Sequence, residues 1–380
     1  MKGLAKTAGA LAGFRLIDCT RLLPGAFGSQ MLADLGAEVI KIEEPGRGEP
    51  GRQSFFYAQV DRHKKSLTLD LKRPEGTAIF KELVATADVV FESFRPGVMA
   101  RLGLDYETLR PIQPRLVYCS QTGFGQTGPY RSRPAHNLNF LALTGLLQAD
   151  HDPAPIMSWV PIADIGAGLM SSYCILAALH HARSTGEGQY IDVSMTDVSL
   201  CFNLPAIAGI GRTLPAFENA PGEAPGDHRH GLYRTADGGH LVIGGEPKFW
   251  ETFVVALGLP HLSRAYDKRD EEARAVKREI QAVVETHTLA EWESRFASMQ
   301  VCIAPVYRPR EAIHDPHTVA RCQLWREGDE LHIGFPARLS ATPALREGAA
   351  PKVGEHTDEI LRELGHSPQD IEAWRSAALI

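Results

Sequence analysis

The sequence predicts an α/β fold on a parallel sheet, and two observations carry that prediction. Short apolar runs alternate with helix-patterned segments through the first third of the chain, and each connection is long enough for one crossover helix. Residues 14–19 (FRLIDC) read as a strand, and Pro24–Gly25 breaks the chain before a helix over 27–35. Residues 37–43 (AEVIKIE) form a second strand with alternating apolar residues, which completes a βαβ unit. The pattern recurs, with strands at 66–71, 88–92 and 116–120 and a helix at 74–85. This half is Rossmann-like in architecture.

Residues 133–195 hold the two polar residues best placed for chemistry. His136 precedes an apolar run, 138–147, that reads as a helix stopped by a loop at 150–155. Asp164 precedes a second run, 165–181, which ends before Gly186. An Asp there is a good N-cap, and the free N–H groups and dipole of the helix would favour an anion beside it. With 27 residues between His136 and Asp164, spacing alone does not bring them together.

Beyond Met195 the pattern loosens. Residues 211–230 are rich in Pro, Gly and charge, and 231–244 read as a hairpin turning at Asp237–Gly238–Gly239. Glu246 and Pro247 open a helix, with further helices at 274–285 and 289–299 and a strand at 302–307. The expected organisation is a large Rossmann-like domain (1–200), a linker and loop (201–230), a small α+β domain (231–315) and a returning C-terminal segment (316–380).

Apolar content of 44% and charged content of 23% in 380 residues describe an ordinary globular chain. A net charge of −6 argues against general nucleic-acid binding. No apolar run reads as a membrane span and no secretory signal is evident, so a cytoplasmic protein is expected. The six cysteines show no C-x-x-C pair and are read mostly as small core residues; His228 and His230 are read as an exposed loop, not a metal site. Gly123, Gly125 and Gly128 spell the dinucleotide fingerprint after a strand, but Pro129 and YRSRP follow in place of a helix, which argues against NAD. The cluster Arg62, Lys64, Lys65, Lys72 and Arg73, with Arg95 and Arg101, reads by default as solvated surface.

The runs PAHNLNFLALTG, IADIGAG and GEGQYIDVSM resemble family III CoA-transferases, also called the carnitine-dehydratase/bile-acid-inducible family, over residues 13–365. The motifs are most similar to its α-methylacyl-CoA racemase branch. The resemblance implies an interlocked, ring-shaped homodimer acting on an acyl-CoA thioester, with coenzyme A as part of the substrate and no separate cofactor, metal, nucleic acid or membrane. It places Leu69, Lys72, Ser93, Phe94, Val98, Arg101 and Arg133 at the CoA site, where cations would meet the phosphates and apolar surface the adenine. Glu44 stands where some relatives carry an arginine, leaving Arg47 or Arg52 to supply that charge.

The resemblance also implies two chemistries for Asp164. In transferases the matching Asp attacks the thioester, forming a mixed anhydride that passes CoA between acids. In racemases it pairs with a His, and the two exchange the α-proton from opposite faces of an enolate held by preorganised donors. His136 at the racemase position, Glu246 resembling that histidine's orienting partner, Leu23 in place of a glutamine, and PGEAPGDHRH in place of a glycine run favour the racemase. Ala135–His136–Asn137 in place of G-H-D, and the missing G-A-P-[FY]-Y segment, point the other way. Proton transfer at the α-carbon of a 2-methylacyl-CoA is therefore the preferred expectation. CoA transfer and acyl-CoA binding without turnover are the alternatives.

Overall fold

The computed structural model describes residues 9–147, 160–210, 228–346 and 348–380. The chain divides into two compact units. One comprises Met1–Gln148, Ile156–Asn203 and Gln323–Ile380; the other comprises Ala149–Pro155 and Leu204–Cys322.

The first unit is built on six parallel strands: β1 (Arg15–Cys19), β2 (Glu38–Glu43), β3 (Lys64–Thr68), β4 (Val89–Glu92), β5 (Val117–Thr122) and β6 (Gln189–Ser194). They lie in the order β3-β2-β1-β4-β5-β6, with Leu16 of β1 opposite Val39 on one side and Val89 on the other. The strand order reverses between β1 and β4, so the chain leaves their carboxyl ends in opposite directions and opens a crevice there. β6 went unread in the sequence because QYIDVS is polar and its first two residues are exposed, as suits an edge strand.

Helix α1 (Leu22–Asp34) starts earlier than expected, and Pro24 sits inside its first turn, where a missing N–H costs nothing. Helix α2 (Pro74–Val84) buries Ile79, Phe80, Leu83 and Val84 on one face of the sheet, together with Ile360, Leu361 and Leu379 from the end of the chain. On the other face, α1 packs with α4 (Ile162–Thr185), which follows a short helix α3 (Asn137–Leu143). Gly28 and Gly168 permit this approach: a Cβ on Gly28 would fall 2.9 Å from the Gly168 carbonyl oxygen, and one on Gly168 would fall 2.6 Å from that of Pro24. Gly186, with φ +82°, ends α4 in the left-handed conformation. By length and composition α4 is apolar enough to cross a membrane, contrary to the sequence reading, but half of that stretch is buried in the unit's core.

Two basic residues read as surface are interior. Arg62 donates to Asp34 at 3.1 Å through Nε, and Lys64 Nζ lies 2.7 Å from Asp61 and 3.1 Å from Asp18. Lys41 joins the cluster at 2.8 Å from Asp61 and 3.5 Å from Glu49. Burial opposes the Asp61 charge, yet Lys64 and Lys41 outweigh it and hold that carboxyl below its ordinary value. Glu49 also accepts from the Leu22 N–H at 3.2 Å, which holds Leu22 at φ +60°, a conformation that costs about 1–2 kcal/mol. The buried charges thus fix how the chain turns from β1 into α1.

In the second unit, residues 204–210, expected as linker, form helix α5 (Leu204–Ile210). The hairpin expected at 231–244 is β7 (His230–Arg234) and β8 (His240–Gly244), joined by β9 (Ile303–Pro305). Helices α6 (Pro247–Ala256), α7 (Asp270–Val284) and α8 (Leu289–Phe296) cover the sheet around Trp250, Phe253 and Trp292. His228 is not in an exposed loop: it is fully buried, with Nε2 3.0 Å from the Ala265 carbonyl oxygen. No disulfide forms among the described residues, and only Cys19 and Cys119 are buried; Cys201, Cys302 and Cys322 are exposed. Residues 211–227, most of the expected loop, lie outside the described residues.

Candidate active site

The crevice at the β1/β4 reversal is a cleft of about 890 Å³. The turn after β1 supplies Arg21, Leu22 and Leu23, the loop after β4 supplies Ser93, Phe94 and Arg95, and the end of β5 supplies Gln121 and Thr122. His136 and Asp164 line the same cleft, so the fold brings together the two residues that spacing could not.

The two local structures differ from the sequence reading. Helix α4 begins at Ile162, so Asp164 is the third residue of its first turn and not its cap. The cap function comes from Asn137, whose Oδ1 accepts from the Ala163 N–H at 2.9 Å. Helix α3 runs only to Leu143, with His136 as its N-cap residue, and the Asn139 Oδ1 accepts from the His136 N–H at 2.9 Å. Phe140 and Leu141 pack with Ala163 and Ala167 and dock α3 on α4.

Burial raises the Asp164 carboxyl from its ordinary 3.8 to about 6, and the His136 charge offsets only part of that rise. Asp164 is the only carboxylate lining the cleft among the described residues, whereas Arg21, Arg95, Arg131 and Arg133 all line it. None of these arginines is in an ion pair with a described residue, and Arg133 instead lies 4.0 Å from the Tyr130 ring centroid. The cleft is therefore electropositive and suited to an anionic ligand. Behind it, Glu92 is raised to about 7 by burial, against hydrogen bonds from Ser120 and the Phe94 N–H.

Six of the seven expected CoA residues fall in two adjoining cavities. Leu69, Lys72, Phe94 and Val98 line a smaller one of about 150 Å³, and Ser93, Phe94 and Arg133 line the larger. Arg21 and Phe94 border both, with the Arg21 guanidinium 4.8 Å from the Phe94 ring centroid. Arg101 is exposed on a short helix and lines neither. Arg52 is committed to Glu43 and to the Pro351 carbonyl oxygen at 2.9 Å, which leaves the exposed Arg47 as the uncommitted cation of the pair. Glu246 belongs to the second unit, where it precedes α6 and lies 3.5 Å from Lys248. After Gly128 the chain stays non-helical until Asn137, so no helix opens at the end of the glycine fingerprint.

Sequence reasoning passed over Gln121. It is only 2% exposed, and among the described residues neither its amide oxygen nor its nitrogen has a partner. A glutamine just beyond the apolar run LVYC in LVYCSQT was the available signal.

A doubly wound parallel sheet with a half-buried carboxylate and a cationic cleft at its reversal point defines an α/β protein built to bind an anionic ligand. The chain belongs to CoA-transferase family III, whose model matches residues 11–357. It is 34% identical to succinate–glutarate CoA-transferase of Agrobacterium fabrum, covering 93% of this chain and 95% of that one. It is 35% identical to the α-methylacyl-CoA racemase of Mus musculus, covering 97% of each. Among solved structures, a CaiB/BaiF family protein from Brucella suis superposes with a TM-score of 0.80 at 28% identity, covering 94% of this chain and all of that one. The family is one of enzymes, and its relatives include both racemases and transferases.

Proposed function

We propose that the protein moves the α-proton of a 2-methylacyl-CoA between the faces of its α-carbon, with His136 and Asp164 as the acid–base pair. One observation supports this above the rest. His136 and Asp164 share a cleft, and burial raises the Asp164 carboxyl to about 6, so that it can both bind and release a proton near neutral pH. Two acid–base groups lining one cleft can take the proton on one face of the α-carbon and return it on the other. The apolar side chains Leu22, Leu23 and Phe55 suit an aliphatic acyl group. The lining by Ser93, Phe94, Arg133, Leu69, Lys72 and Val98 supports their assignment to CoA, and Glu246 is proposed to orient His136. We also propose a homodimer, supported by the exposed apolar side chains Leu169, Met170, Tyr173, Leu200 and Phe202.

Transfer of CoA between acids through an Asp164 anhydride is a second reading, favoured by the four cleft arginines, which have no ion pair among the described residues and would also suit a carboxylic acid acceptor. Proton NMR of a 2-methylacyl-CoA with enzyme in heavy water separates the two. Proton transfer places deuterium on the α-carbon and interconverts the epimers with no acceptor acid present. His136→Ala then loses ~10²–10⁴-fold in rate. Acceptor-dependent CoA exchange, an Asp164 acyl group trapped by hydroxylamine, and no deuterium at the α-carbon would overturn it.

A further inference from the structure

Asn137 makes the link that sequence spacing lacked. Its Oδ1 accepts from the Ala163 N–H at 2.9 Å, and its Nδ2 donates to the Val160 carbonyl oxygen at 3.4 Å. Asn137 follows His136 in the chain, and Ala163 precedes Asp164. One amide therefore ties the residue after the base to the residue before the acid, and grips the chain on both sides of the turn that starts α4. The bond from the His136 N–H to Asn139 Oδ1 fixes the histidine backbone at the same point.

We propose that Asn137 is a positioning residue for the His136–Asp164 pair, an uncharged clamp that sets their separation. The role given to the pair rests on the proton-transfer reading; the clamp does not.

The choice of side chain follows from the contacts. An aspartate could accept from Ala163 but could not donate to the Val160 oxygen, and would face it with like charge. It would also add a second carboxylate beside the turn that carries Asp164. That extra negative charge would favour the protonated form of both His136 and Asp164. An alanine would break both contacts and leave the histidine segment held by α3 alone.

The test is a four-way NMR titration of the His136 ring in the full chain without substrate: wild type, Asp164→Asn, Asn137→Ala and the double variant, with His136→Gln identifying the resonance. In the wild-type background, Asp164→Asn should lower the His136 midpoint by about 0.5 pH unit, because an attracting carboxylate is lost. In the Asn137→Ala background the same change should move it by less than about 0.2 unit. Asn137→Asp, isosteric and able to keep the Ala163 bond, should raise the midpoint by about 0.5–1 unit and serves should the alanine variant not fold. In turnover, Asn137→Ala should lower kcat by about tenfold or more with KM within about twofold, as for a lost alignment. Equal Asp164→Asn shifts in both backgrounds, or an unmoved midpoint in Asn137→Asp, would overturn the clamp. Because the titration uses no substrate, intact coupling without deuterium incorporation would sink the proton-transfer reading and leave the clamp standing.

Discussion

Replacing Asp164 with Asn should stabilise the protein at pH values where the unfolded carboxyl is ionised, and most where the native one is ionised too. Burial holds this carboxyl at about 6 against an ordinary 3.8. Between those values the native state binds a proton that the unfolded chain has released, so stability falls as pH rises, and the loss is complete above the native value. About two pH units correspond to about 3 kcal/mol at full strength. Asp164 is half-buried at the wall of an open cleft, and solvent screening reduces this to about 1–2 kcal/mol. Asn keeps the shape and removes the charge. Thermal melting followed by circular dichroism should show Asp164→Asn about 2–5 °C above wild type near pH 8, with the gap shrinking as pH falls through about 6 and closing near pH 3, where the carboxyl is protonated in both the native and the unfolded chain. An equal gap at the two pH values, or a less stable variant near pH 8, would refute the claim that Asp164 is held in a poorly solvated, proton-favouring site.

Further outcomes follow from the same geometry. Lys72→Ala and Arg133→Ala should each weaken acyl-CoA binding by about tenfold in calorimetry, whereas Arg101→Ala, outside both cavities, should change it less than about twofold. Gln121→Leu should raise the melting temperature, because a buried amide without a partner costs about 1–3 kcal/mol, and should weaken acyl-CoA binding if a bound group completes that amide; a destabilised variant would show that the amide is already satisfied. Sedimentation at nanomolar concentration should show a dimer, and an active monomer would contradict the homodimer. Glu246→Gln should reduce α-proton exchange less than His136→Ala does; an equal or larger loss would give Glu246 a more direct part than orientation.

Much of the first unit was legible because buried parallel strands and amphipathic helices leave strong local signals. Val89–Glu92 is buried throughout, and α2 repeats its apolar face at helical spacing. What was missed depends on partners distant in sequence. Arg62 and Lys64 read as surface because the carboxylates that allow their burial are on Asp34, Asp18 and Asp61, two of them in other strands and helices. The start of α1 at Leu22 depends on Glu49, and the start of α4 at Ile162 depends on Asn137. Asp164 was read as the cap because aspartate caps are common, whereas here a side chain 26 residues away satisfies the helix end. His136 and Asp164 were identified by resemblance, and their common cleft required the fold. His228 shows the opposite failure: a polar, glycine-rich neighbourhood hid a histidine buried against Trp250.

The raised proton affinity of Asp164 does not by itself choose between the two chemistries. A carboxyl that titrates near 6 is still about nine-tenths ionised at neutral pH, so it could attack a thioester as well as carry a proton. The difference lies in what stands opposite. An anhydride route needs a second acid to reach the acyl carbon, and a histidine has no necessary part in it. A two-face proton exchange needs a second titrating group held at constant distance across the substrate. In this chain His136 lines the cleft with Asp164, and its neighbour Asn137 bonds the histidine segment to the start of the aspartate's helix. Under the proposed proton exchange, an amide that keeps these two side chains in register has a part that CoA transfer would not require.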